Sequence, residues 1–113
     1  MRFSIFTTPT FNKELKRLAK KYPSIKSDIE KLSLKVLEDP TTGVNLGQNF
    51  YKVRMAITSK GKGKSAGARV ITYIKVTDTK IFLASIYDKS DKENISDKEL
   101  RLLIEQMSGE INN

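Results

Sequence analysis

The sequence contains no cysteine and no histidine. Without cysteine the chain cannot form disulfides or thiolate metal sites. Without histidine it lacks the commonest metal ligand and the side chain most often used for proton transfer near neutral pH. We therefore predict no metal site and no cofactor, and any proton transfer must fall to Lys, Tyr, Asp, Glu or Arg.

Long hydrophobic runs are also missing. The first ten residues, MRFSIFTTPT, hold too short an apolar run for a signal peptide, and no later stretch is long enough to cross a membrane. A chain of 113 residues is long enough to bury one core and too short for two. We expect a single cytoplasmic domain over residues 1–113, without membrane contact.

Negative charge is scarce, and it is absent from the middle of the chain. The formal net charge is +8, and no Asp or Glu lies between Asp39 and Asp78. A positive field of this kind indicates a polyanionic partner, although charge alone does not separate nucleic acid from an acidic protein or a lipid surface. A basic surface that is merely solvated is the simpler alternative. The cations of this segment are Lys52, Arg54, Lys60, Lys62, Lys64, Arg69 and Lys75.

Periodic patterns predict an α+β fold in the order strand, helix, helix, strand, strand, strand, helix. RFSIF alternates as a first strand, Thr10 can cap the following helix, and YPS separates that helix from a second one. FYKVRMAIT, ARVITYIKV and KIFLASIYDK are typical of three further strands. Ser96 and Glu99 have the spacing of a capping box for a last helix, which Gly109 would end. We expect a twisted antiparallel sheet, packed on one face by the helical hairpin and the last helix.

The glycine-rich stretch SKGKGKSAGAR contains a fragment of a phosphate-binding motif. Residues 63–65 match the second half of a P-loop, but Thr58 stands where its first glycine belongs, and a strand follows instead of a helix. We interpret the stretch as a basic hairpin tip. Lysines there can follow a phosphate backbone, so we predict RNA contacts for Lys60, Lys62 and Lys64. The alternative is a mobile loop that these lysines keep soluble.

Strand alternation places several cations on one face of the sheet. Lys52 and Arg54 point to the same side, about 7 Å apart along the strand. Arg69 shares that side if the next strand pairs across the hairpin, and Lys89 follows the third strand. Like charges this close are costly unless something such as a bound phosphate offsets them. Further candidates for stacking on bases or for binding RNA are Tyr73, Tyr87 and Lys92.

Such a cluster suits cleavage of RNA by the neighbouring 2′-OH. That reaction needs a proton acceptor, stabilisation of the crowded phosphate and a proton donor for the leaving 5′ oxygen. Arginine forks bind two phosphate oxygens and stay charged. Nearby cations favour the neutral form of a lysine, so Lys52 or Lys89 can serve as base or acid. The same residues would equally make a passive RNA-binding surface.

Four stretches, FNKELKRLAKKYPSIKSDIEKL, DPTTGVNLGQNFYKVRMAI, KGKGKSAGARVITYI and ASIYDKSDKENIS, together resemble the RelE/ParE toxin superfamily, and especially its HigB/RelE-like branch. The resemblance implies a RelE-like microbial ribonuclease fold and a toxin of a type II toxin–antitoxin system. It further implies metal-independent cleavage of mRNA on the ribosome and a cognate antitoxin, often a helix-turn-helix DNA-binding protein. At matched positions it implies Lys52 as general base, Arg54 and Arg69 on the scissile phosphate, and Lys89 beside a further basic position.

The sequence departs from the RelE pattern near the start of its last helix. RelE has a tyrosine there that helps catalysis, whereas KENISDKEL has none, so Tyr73 or Tyr87 would have to replace it or the acid step would differ. Two other functions stay open. One is a ParE-like inhibitor of DNA gyrase that cleaves nothing, and the other is a non-catalytic RNA-binding module. The paired strand-face cations argue against the inhibitor, which has no evident need to clamp phosphate.

Overall fold

The computed structural model describes residues 2–112, with side chains up to residue 108. The elements are β1 (Ser4–Thr7), α1 (Pro9–Lys21), α2 (Ile25–Glu38), β2 (Val44–Gly47), β3 (Phe50–Met55), β4 (Ala68–Lys75), β5 (Lys80–Asp88) and α3 (Asp97–Asn112). The predicted α+β fold and element order are confirmed, with β2 as an additional strand that no sequence pattern indicates.

The sheet has the strand order β1-β5-β4-β3-β2. β5, β4, β3 and β2 pair antiparallel, but β1 lies parallel to β5. The sheet is therefore mixed and not wholly antiparallel as predicted. The two helices that follow β1 carry the chain from β1, at one edge of the sheet, to β2 at the other edge.

The helical hairpin begins and breaks at proline. Thr8 caps α1, because its Oγ1 accepts a hydrogen bond from the Phe11 amide at 3.1 Å, and Pro9 occupies the first helical turn. The predicted cap, Thr10, lies inside the helix and is wrong, since a proline suits the position directly after the cap. Tyr22 ends α1 and α2 starts at Ile25, as the YPS break predicts.

Helices cover both faces of the sheet, so the prediction of one packed face is wrong. The first core lies under α1 and α2 and includes Phe11, Ile25, Val36, Val53, Val70 and Ile81. The second lies under α3 and includes Phe50, Ile71, Ala84, Tyr87, Leu103 and Met107. Strands that are apolar on both sides need cover on both sides. α3 also continues past Gly109, which costs a helix only about 1 kcal/mol.

A β-bulge in β5 sets which side chains face α3. The register shifts between Ile71 and Thr72, so that Ala84 is the extra residue on β5. Phe82 and Tyr87 are five positions apart and would point to opposite faces of a regular strand. The bulge reverses the alternation, and both side chains belong to the core under α3. The same reversal brings Tyr87 opposite Arg69.

Candidate functional site

A cleft of about 210 Å³ lies where β3 and β4 extend beyond the core under α3. Its walls come from β2, from the paired strands β3 and β4, and from the segment after β5. The four predicted catalytic residues, Lys52, Arg54, Arg69 and Lys89, all line it. The remaining lining residues are Val44, Glu93 and Asn94.

Arg54 and Arg69 stand directly opposite each other on β3 and β4. Like charges in this position are unfavourable across an antiparallel pair. Arg54 is exposed, and its side chain makes no hydrogen bond or ion pair within the described side chains. No carboxylate of the described residues forms an ion pair with either arginine. This arrangement can bind an anion, because a phosphate would remove the repulsion that the strands impose.

Arg69 is held in place by the glycine-rich loop. Only 5% of the residue is exposed. Its Nη1 donates to the carbonyls of Lys64 at 3.0 Å and Ala68 at 3.1 Å, and its Nη2 donates to the carbonyl of Ser65 at 3.2 Å. These bonds fix the guanidinium and the end of the loop together, so the loop orients Arg69 in the cleft.

The segment of residues 92–95, of which Glu93 and Asn94 line the cleft, forms its wall beyond β5. Lys52 Nζ donates to Asn94 Oδ1 at 2.9 Å, and the Ile95 amide donates to the Tyr87 hydroxyl at 3.2 Å. Lys92 forms an ion pair with Glu99 and its Nζ lies 4.9 Å from the centroid of the Tyr87 ring. The wall is therefore tied to β3, to β5 and to α3.

The capping box at the start of α3 holds the end of this wall. The Ser96 amide donates to Glu99 Oε1 and the Glu99 amide donates to Ser96 Oγ, both at 3.1 Å. This is the reciprocal pattern that the sequence spacing predicts. Because Glu99 also pairs with Lys92, the cap joins the helix start to the cleft wall.

Lys60 does not lie on an open RNA-binding surface. Its Nζ pairs with Asp88 Oδ1 at 2.9 Å and donates to the Ala66 carbonyl at 2.8 Å and to Ser90 Oγ at 3.1 Å. The ammonium is thus used inside the fold, on the side of the sheet covered by α1. Lys62 and Lys64 are exposed on the same loop, so they remain the candidates for contact with a phosphate backbone.

Neither tyrosine lies free for stacking in the cleft. Tyr73 is part of the aromatic cluster under α3, with its ring centroid 4.9 Å from that of Phe50 and 6.2 Å from that of Phe82. Tyr87 is 3% exposed and its ring is covered by Lys92. Burial raises the pKa of the Tyr87 phenol, which keeps it protonated. Tyr87 and Lys92 therefore support the cleft wall, and Tyr73 lies away from the four cations.

Glu93, Asn94 and Val44 are site residues that sequence patterns do not reveal. They lie on a loop and on a short edge strand, where no periodicity indicates a face. The only usable signal is the capping box, which places α3 directly after the loop. Within the described residues, no group of three or more Asp or Glu side chains could hold a metal ion. Over the same residues, no helix is long and apolar enough to span a membrane.

A second groove, of about 240 Å³, adjoins the cleft along the edge of β3. It is lined by the apolar residues Leu32, Met55 and Ala56, by the cations Lys31, Lys35 and Lys64, and by Asp28 and Thr58. Arg54 lines both spaces. The positive surface therefore continues from the cleft around the edge of the sheet towards α2.

Comparisons with known proteins identify the family of the chain and agree with its fold. A family model described as the RelE toxin of the RelE/RelB toxin–antitoxin system matches residues 3–112. Among solved structures, a free double arginine-to-alanine mutant of the E. coli toxin RelE superposes with a TM-score of 0.60 at 18% identity, covering 82% of this chain and 90% of that one. At this identity the likeness shows the fold alone. No curated protein matches the sequence.

Proposed function

Because the chain belongs to the RelE toxin family, we propose that it cleaves mRNA on the ribosome and thereby inhibits translation, as the toxin of a type II pair. The whole chain, residues 1–113, would act as one toxin domain in the cytoplasm, where its substrate is found. The convergence of Lys52, Arg54, Arg69 and Lys89 on one cleft is the observation that carries this proposal.

A member of a RelE/RelB-type system has an antitoxin as its partner. We propose that the cognate antitoxin is a helix-turn-helix DNA-binding protein with an acidic element that covers the positive cleft. The net charge of +8 favours such an element, because oppositely charged surfaces speed association and exclude wrong partners.

The proposed reaction is attack of a 2′-OH on the neighbouring phosphate. Arg54 and Arg69 would bind the non-bridging oxygens, where negative charge increases in the transition state. Arg69 is suited to this because the loop carbonyls already hold its guanidinium, so little freedom is lost on binding. Lys52 and Lys89 would take part in proton transfer. A metal ion is not required, since the cleft itself presents cations to the phosphate.

The test is a cleavage map of a reporter mRNA, with and without translating ribosomes, for the wild type and for Arg54→Ala. Arg54 is the sharper probe than Arg69, because its side chain is exposed and supports no loop contact within the described side chains. Losing one donor to the transition state lowers cleavage by about 10²–10³-fold. Arg101→Ala is the matched control, since Arg101 is exposed on α3 and outside the cleft.

Three results together would support both the nuclease activity and the cleft as its site. The mRNA is cut only when ribosomes are present, Arg54→Ala reduces the cutting, and Arg101→Ala leaves it unchanged. Equal cleavage by the wild type and Arg54→Ala would exclude the cleft as the site. Intact mRNA in cells whose growth the protein arrests would exclude the nuclease, and supercoiling by DNA gyrase would be measured next. Binding of RNA without cleavage or growth arrest would indicate a non-catalytic module.

A further inference from the structure

Glu93 is the one acid among the described residues that line the cleft. It lies between Lys92, which pairs with Glu99, and Asn94, which accepts from Lys52 at 2.9 Å. Its own side chain makes no hydrogen bond or ion pair within the described side chains. The wall is therefore anchored on both sides of Glu93, while its carboxylate is left available.

Charge decides which groups of the cleft can accept a proton. Carboxyl groups ordinarily ionise near pH 4 and lysine ammonium groups near pH 10, each to within about one unit. Near neutral pH a glutamate side chain is thus ready to accept a proton and a lysine to donate one. An arginine stays charged and does neither. Lys52 also already donates one of its hydrogens to Asn94.

We propose that Glu93 is the general base of the proposed cleavage and that a lysine of the same cleft, Lys52 or Lys89, is the general acid. This inference rests on the proposed function. The 2′-OH gives its proton to the Glu93 carboxylate as the O2′–P bond forms. The P–O5′ bond breaks, and the leaving oxygen takes a proton from the ammonium group. The products are a 2′,3′-cyclic phosphate and a 5′-hydroxyl, and nothing is oxidised or reduced.

In this mechanism the lysine donates a proton instead of accepting one. The cleavage rate of such a mechanism depends on pH differently from that of a mechanism with a lysine base. The groups that face Glu93 are Lys52 and Arg54 from β3, Arg69 from β4, and Lys89 after β5. A carboxylate base and an ammonium acid are ordinarily both in the required form near neutral pH, so the rate should change little from about pH 6 to about pH 8.5. A lysine base must first lose its proton, so with a lysine base the rate should rise with pH over that range.

The experiment measures single-turnover cleavage of mRNA in preformed ribosome complexes over this pH range. The variants are Glu93→Gln, Glu93→Asp and the control Glu105→Gln, which alters an exposed glutamate of α3 outside the cleft. We expect Glu93→Gln to be slower by about 10²–10⁴-fold near pH 7, with a residual rate that rises with pH. Glu93→Asp should recover part of the rate and the flat profile, and Glu105→Gln should match the wild type.

The outcomes separate this inference from the function on which it rests. A wild type that leaves ribosome-bound mRNA intact refutes the proposed function. A wild type that cleaves, with Glu93→Gln equal to Glu105→Gln, refutes the role of Glu93 alone. A wild-type rate that rises with pH across the whole range also refutes it and makes a lysine the base. If Glu93→Gln does not fold, Glu93→Asp and the wild-type profile together still test the role of Glu93.

Discussion

Replacing Asp88 with Asn should destabilise the protein strongly, because four hydrogen bonds converge on this carboxylate. The side chain has no exposed surface. It accepts from the Tyr22 hydroxyl at 2.5 Å, from Lys60 Nζ at 2.9 Å, and from the hydroxyl and amide of Ser90 at 2.7 and 3.0 Å. The carboxylate thus joins the end of α1, the glycine-rich loop and the turn after β5.

The magnitude follows from the charge that the substitution leaves behind. Removing one partner of a buried ion pair costs about 3–5 kcal/mol, since the other charge stays desolvated. The Lys60 side chain is 15% exposed and keeps its bond to the Ala66 carbonyl, so we expect the lower end, about 3 kcal/mol. For a domain of this size that loss corresponds to a decrease in Tm of about 10–15 °C.

The dependence on pH supplies an independent check. Burial would raise the pKa of Asp88, but the hydrogen bonds from Tyr22, Lys60 and Ser90 outweigh it and hold the pKa well below its usual range. The stabilisation is therefore complete above the unfolded pKa of about 3.9 and is lost as the pH falls from there towards the lower folded pKa. The difference in unfolding free energy between the wild type and Asp88→Asn should narrow as the pH falls below about 4.

Urea unfolding followed by circular dichroism measures both effects. Asp91→Asn is the control, since Asp91 is exposed on the same turn. A destabilisation by Asp88→Asn within about 0.5 kcal/mol of that control would refute the reasoning. The double variant Asp88→Asn/Lys60→Met supplies a second test. If Asp88 and Lys60 interact, the double variant should lose less unfolding free energy than the two single variants together, and a loss equal to their sum would also refute the reasoning.

Two further predictions concern the loop and the helix start. Gly67→Ala would place a Cβ 2.1 Å from the Met55 carbonyl oxygen. We therefore expect the unfolding free energy measured in urea to fall by about 1–3 kcal/mol, and an unchanged midpoint of the urea unfolding curve would show that the loop moves aside freely. Ser96→Ala removes the hydroxyl that accepts from the Glu99 amide and should cost about 1 kcal/mol. Ser108→Ala, exposed near the end of α3, is its control, and equal losses would contradict the cap.

The regular part of the site could be predicted because strand alternation depends only on local sequence. Lys52 and Arg54 are two residues apart on β3, and the hairpin register brings Arg69 opposite Arg54. Pairing across a hairpin preserves the face of each residue. Lys89, directly after the end of β5, also lines the cleft, and it follows a strand whose alternation a bulge has reversed. A bulge leaves no reliable mark in an apolar strand such as KIFLASIYDK.

β2 illustrates where local patterns are too weak. The strand is four residues long and mostly exposed, so no apolar alternation marks it. Its turn into β3 places Gln48 and Asn49 at φ values of 52° and 68°. Two consecutive positive φ angles are typical of the tight hairpin turn that matches strand twist, where Asn-Gly is the usual signal. Here glycine precedes the turn as Gly47, and that signal is absent.

The acid-free central segment shows why charge alone could not assign roles to its cations. Lys60 finds a partner in Asp88, which lies outside the segment, and folding withdraws its charge from the surface. Lys75 likewise pairs with Asp78 at 2.5 Å. No described carboxylate forms an ion pair with Lys52, Arg54 or Arg69. These three cations lie with Lys89 in one cleft and repel one another, whereas Lys60 and Lys75 are paired with carboxylates. A bound phosphate group would reduce that repulsion.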